Sequence, residues 1–130
     1  MAYQSMIKDD SQKGAVLNIA QALFQAQIQT HIAHLQSDSY AEHIALGEFY
    51  EAAGDLADAI IEKTQGKYGI IKGYKTIQLM DDIDCCEYMK TVLGYVEKQR
   101  LSIKEGYLQQ LTDNIIEQIA STLYKLENLK

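Results

Sequence analysis

The sequence predicts an all-α fold, a four-helix bundle with a long crossover between its second and third helices. Three observations carry that prediction. The 130 residues include no proline, and helix formers such as Ala, Leu, Gln, Glu and Lys dominate. Apolar residues recur at spacings of three and four in separate stretches, the period of a helix face. Residues 66–76 (GKYGIIKGYKT) carry three glycines and read as a connection long enough to cross the length of a bundle.

Taken in order, residues 1–13 mix Lys8 and Lys13 with Asp9 and Asp10 and read as a short, flexible N-terminal arm. A first helix is expected from about Gly14 to Leu35, with Leu17, Ala20, Phe24, Ile28, His31 and Leu35 along one inward stripe. Gln36-Ser37-Asp38-Ser39 breaks the pattern, and Ser39 with Glu42 has the spacing of a capping box. The second helix runs from Tyr40 to about Gln65, with Gly66 as its stop and Leu46, Phe49, Ala53, Leu56 and Ile60 as its core stripe. A third helix covers about Ile77 to Arg100. Ser102 with Glu105 forms a second capping box, and a fourth helix follows to about Asn128. Its inward line is Ile115, Ile119, Thr122, Leu126 and Leu129. Residues 1–130 thus make a single domain.

Composition excludes several function classes. Apolar residues are 47% of the chain, too many for a disordered linker. The net charge of −6 argues against nucleic acid as an obligate partner, because phosphate binding rests on Lys and Arg. The apolar runs are too short to span a bilayer, and no basic-plus-apolar leader opens the chain, so a cytoplasmic protein is expected. The adjacent Cys85 and Cys86 lack the spacing of a zinc site and read as one buried and one partly exposed thiol.

Four residues have the chemistry of a metal centre: His31, His43, Asp58 and Glu62. Two imidazoles and two carboxylates form a mixed N/O set suited to iron, manganese or zinc. On one helix, His43 and Asp58 are separated by roughly 22 Å along the axis, too far to serve one ion. They meet only if a second copy of the helix lies antiparallel across a two-fold axis. Gly47 and Gly54, each costing about 1 kcal/mol relative to Ala in a helix interior, read as small residues that let such a helix approach. His34 reads as a polar surface residue.

On these residues the chain resembles the Dps mini-ferritins, within the ferritin-like superfamily. The likeness is carried by THIAHLQSDSYAEH (30–43), IALGEFYEAAGDLADAIIEK (44–63), with Tyr50 and Gly54, and the closing helix IIEQIASTLYKLENL (115–129). The resemblance implies a ferroxidase: ferrous ions, one or two per site at the subunit interface, are oxidised by hydrogen peroxide. The ferric product is stored inside a dodecamer built from two-fold dimers, which limits oxidative damage. It assigns catalysis and metal binding to His31, His43, Asp58 and Glu62. The sequence departs from the family where Trp usually follows the first ligand His (Ile32), where a further Asp ligand usually sits (Gly47), and where Gly and Pro usually shape the first loop (Gln36, Ser37). Neither Glu48 nor Glu51 replaces that Asp, so a weaker second iron site is expected. The arm carries no net positive charge, so DNA binding is not expected. The alternatives are a structural shell or interaction protein that keeps the fold without catalysis, and a metal-free helical adaptor.

Overall fold

The computed structural model describes residues 10–130, and these form four α-helices with no strand among them. They are α1 (Asp10–Gln36), α2 (Tyr40–Tyr68), α3 (Cys85–Arg100) and α4 (Gly106–Asn128).

Side-chain pairs fix the helix directions. His31 lies against Tyr50 and His34 against His43, so α1 and α2 are antiparallel. Asn18 bonds Gln99 while Gln25 bonds Tyr88, so α3 also runs against α1. Glu48 pairs with Lys125 and Lys67 with Glu105, so α4 runs against α2. The order is up, down, down, up. Two successive helices pointing the same way require a connection that returns along the bundle, and residues 69–84 make it. The core between the helices is built from Val16, Ile19 and Leu23 of α1, Leu46, Phe49 and Ile60 of α2, Met89 and Val96 of α3, and Ile115 and Ile119 of α4, all fully buried.

Element boundaries shift from the expected ones for reasons of tertiary contact. Helix α1 begins at Asp10, so residues 10–13, expected in the arm, are helical; residues 1–9 lie outside the described residues. Gln12 accounts for the extension. It is buried, and its Oε1 accepts the Lys104 and Glu105 amides at 2.8 Å each, which ties the first turn of α1 to the start of α4. Helix α2 passes through Gly66 and ends at Tyr68, where Gly69, at φ +89°, takes a conformation that other residues resist. Ser39 caps the start of α2 as expected, accepting the Glu42 amide at 3.3 Å. Helix α3 starts eight residues later than expected, at Cys85, because Asp84 caps it and the backbone of Lys75, Gln78 and Met80 is bonded to glutamines of α1. At α4 the expected capping box is not made: Glu105 itself is the cap residue, and its carboxylate is engaged by Lys67 and the Tyr68 hydroxyl.

The largest correction concerns α1. Its buried face is Ala15, Val16, Ile19, Leu23, Ala26 and Thr30. The stripe expected to face inward is a second apolar face, offset around the helix. Ala20 is buried and Leu17 and Phe24 pack partly against the core, but Ile28 is 41% and Leu35 is 69% exposed. On α2 the expected stripe is the core stripe, with Leu56 only partly buried. On α4, Leu129 lies beyond the helix end and is exposed.

Candidate functional site

All three histidines of the chain lie where the end of α1 passes the start of α2. His31 and His34 share a face one turn apart on α1, and His43 sits in the first turns of α2. Antiparallel packing brings these faces together. The His31 ring stacks on Tyr50, with centroids 3.9 Å apart and planes 8° from parallel. The His34 ring stacks on His43 at 3.7 Å and 15°, and meets Tyr50 edge-on at 5.3 Å. His31 and His34 are 6.1 Å apart.

His34 and His43 hold each other through the backbone. Nδ1 of His43 lies 2.8 Å from the carbonyl oxygen of His34, and Nδ1 of His34 lies 2.5 Å from that of His43. A carbonyl oxygen only accepts, so each Nδ1 carries a proton and donates it. In the neutral rings the lone pair therefore resides on Nε2, the nitrogen a metal would use. The bond from His43 also satisfies a carbonyl in the last turn of α1, where the helix supplies no donor. Neither Nε2 takes a hydrogen bond among the described residues, and no buried side-chain nitrogen or oxygen there lacks one, so both Nε2 atoms reach solvent. His31 is exposed and its ring nitrogens are likewise free of hydrogen bonds.

Asp58 and Glu62 are not part of this cluster within the chain. Both are exposed, farther along α2, and neither has a hydrogen bond or ion pair among the described residues. Asp58 lies near Tyr74 of the crossover: burial chiefly raises that phenol's pKa, and the Asp58 charge adds to the effect. The axial gap between His43 and Asp58 is that of the sequence spacing, roughly 22 Å. Accordingly, among the described residues no group of three or more His, Cys, Asp or Glu is gathered closely enough to hold an ion. His34 lies between His31 and His43, at 6.1 and 3.7 Å by ring centroids, and the two carboxylates stand apart from all three.

The mid-helix glycines serve contacts within the chain. A Cβ on Gly47 would meet Cε1 and Nδ1 of His34 at 3.1 and 3.2 Å, and one on Gly54 would meet Nε2 of Gln27 at 2.8 Å. Within the chain, the close approach they allow is that of α1. His34 is the member of the cluster that its apparent surface position hid. The i, i+3 pairing of His31 with His34 is the signal that could have found it.

Elsewhere, a groove of about 650 Å³ opens between α1, the crossover and α3, with Tyr88, Tyr95 and Val92 on its wall and Asp81, Asp84 and Glu87 among its lining. It contains no histidine. Both cysteines are partly buried, and burial pushes the Cys85 thiol up to about 11, so neither is a ready nucleophile. No helix is long and apolar enough to cross a membrane among the described residues.

Residues 34–126 match the model of a family described as "Family of unknown function (DUF5856)". No curated protein and no solved structure matches the chain.

Proposed function

We propose that this chain, which belongs to the DUF5856 family, is a ferritin-like iron-binding protein of the Dps kind. It oxidises ferrous iron at sites shared by two-fold-related copies and stores the ferric product inside a shell. One observation carries this reading. His31 and His43 flank His34 at one end of the α1–α2 hairpin with no hydrogen bond on their Nε2 atoms, while Asp58 and Glu62 stand unpaired farther along α2, at the distance that an antiparallel second copy would close. The up-down-down-up order with its lengthwise crossover supports it, since one long crossover is the connection of ferritin-like bundles. So do Ile28 and Leu35 of α1 and Tyr40 and Ile44 of α2, exposed apolar residues beside the cluster that a second copy would cover.

Iron is the substrate. His31 and His43 of one copy supply neutral nitrogen, and Asp58 and Glu62 of the other supply the negative charge that favours the ferric state. Two ferrous ions each give up one electron to hydrogen peroxide, which takes two protons and leaves as two waters. DNA has no part in this function, because the chain's net charge of −6 repels phosphate.

A second reading is a shell or interaction protein without catalysis. The mutual bonds of His34 and His43 favour it, because bonding each other's backbone carbonyl gives both rings a role with no metal. Complementation separates the two. His43→Ala and Asp58→Ala should each abolish ferrous oxidation, since every shared site then lacks a ligand. When the two mutants are unfolded and co-assembled, each mixed dimer contains one site with both defects and one intact site. Activity should return in proportion to the mixed dimers. Mixed assemblies that stay at the single-mutant level would sink the shared site.

A further inference from the structure

We infer that the groove between α1, the crossover and α3 is a binding site for an organic monoamine with an apolar, aromatic body. It is a site apart from the proposed metal centre, since no histidine lines it.

Size and charge point to that ligand together. The groove holds about 650 Å³, within the range of small-molecule sites. Its charges are of one sign and at one end. Gln21 bonds the Lys75 backbone and Gln29 that of Met80, so residues 81–84 lie at the Gln29 end of the groove. Asp81, Asp82, Asp84 and Glu87 line it there, and among the described residues no Lys or Arg lines it. Asp84 caps α3, and Glu87 lies 3.7 Å from Lys90. The carboxylates of Asp81 and Asp82 have neither a hydrogen bond nor an ion pair among the described residues. The start of α3 sets only about half a positive charge against them.

Beyond Glu87 the walls carry no charge. Tyr88, Val92 and Tyr95 follow on α3, facing Gln25, Ala22 and Asn18 of α1. The Tyr88 hydroxyl donates to Gln25 Oε1 at 3.2 Å and ties the two walls together. From Glu87 to Tyr95 is roughly 12 Å along the helix axis. An ammonium at the acidic end therefore lays its body toward the tyrosines, where Tyr95, 41% exposed, leaves ring surface to cover. Other cations fit less well. Among the described residues no three of His, Cys, Asp or Glu are gathered closely enough to hold a metal ion, so the acidic end suits a larger cation. A diamine would carry its second charge to an uncharged wall, where desolvating it is costly.

The probe is tryptamine, whose indole can be excited selectively because the chain has no tryptophan. With full-length protein at physiological salt, its fluorescence anisotropy should rise and saturate at one molecule per chain. Asp81→Asn/Asp82→Asn should weaken binding about tenfold or more, the loss of a charged contact. Both positions are exposed, so the fold is kept. Asp82→Gly separates binding from folding: position 82 sits at φ +50°, which glycine adopts without strain, so this variant should keep its unfolding temperature and bind less tightly. Tyr95→Ser should weaken binding from the other end. In the unmutated protein, amide shifts on titration should concentrate within residues 81–95. Shifts that fall elsewhere overturn the inference. So does indole that binds as tightly as tryptamine, because the carboxylates then contribute nothing. Cadaverine that displaces tryptamine at equal concentration overturns the apolar body. Anisotropy that never saturates, or binding lost between low and physiological salt, marks adventitious ion pairing only and overturns the site.

Discussion

Gln12 accepts two backbone amides, those of Lys104 and Glu105, through one carbonyl oxygen that is almost wholly shielded from water. Those amides belong to the start of α4, where a helix has donors and no internal acceptors. Gln12→Ala would remove both bonds, at about 0.5–1.5 kcal/mol each. Gln12→Glu keeps an acceptor in place, so urea unfolding should show a clear loss for Ala and a smaller one for Glu. Equal losses would mean that the amides do not depend on this side chain. Gly54 sets the opposite test. A Cβ there meets only the far end of the flexible Gln27 side chain, which can swing away. Gly54→Ala should therefore stabilise the chain by about 0.5–1 kcal/mol through helix propensity alone, with no change in assembly size by light scattering. An assembly that falls apart instead would show that a second copy, not α1, needs that glycine.

At the scale of elements, the crossover is held by a row of glutamines rather than by its own secondary structure. Gln21, Gln25 and Gln29 stand one turn apart on α1. Gln21 accepts the Lys75 amide, Gln25 donates to the Gln78 carbonyl, and Gln29 bonds both the amide and the carbonyl of Met80 at 2.9 Å each. A primary amide presents a donor and an acceptor side by side, so Gln29 pairs with residue 80 much as a neighbouring strand would. It is also 2% exposed, so water does not replace it. Gln29→Ala should raise amide hydrogen exchange at Met80 and its neighbours, while the helices themselves keep their protection. If exchange across residues 75–84 stays at the parent rate, the row is not what holds the segment.

The whole molecule leaves a mixed face on the outer side of the α1–α2 hairpin. Ile28, His31 and Leu35 lie along one helix and Tyr40 and Ile44 along the other, all exposed. In the proposed assembly this face is covered by a second copy, and such pairs close into a shell. Twelve copies of a 14.7 kDa chain give about 176 kDa. Light scattering should report that mass for the parent. Ile28→Glu/Ile44→Lys, with both changes on exposed positions, should reduce it while leaving helical circular dichroism intact. A stable monomer at micromolar concentration would remove both the shell and the shared site. A stable dimer would remove only the shell.

Much of this was legible in the residues alone. Helical period, the lack of proline and the Ser39 cap determined four helices and the start of α2, because these depend on local backbone preference. The spacing from His43 to Asp58 determined that one chain could not gather the four candidate residues, because a helix rises by a set length per residue. Tertiary structure decided the rest. Helix α1 has two apolar faces, and only packing selected Val16, Ile19 and Leu23 for the core over Ile28 and Leu35. The third helix could have continued back to Ile77, but glutamine amides on α1 bond that backbone instead. That the ring of His34 packs against Gly47 is likewise a tertiary fact, since the two residues lie on different helices. Periodicity tells which residues share a face. Which neighbour that face meets is a property of the assembled bundle, because partners distant in sequence compete for it.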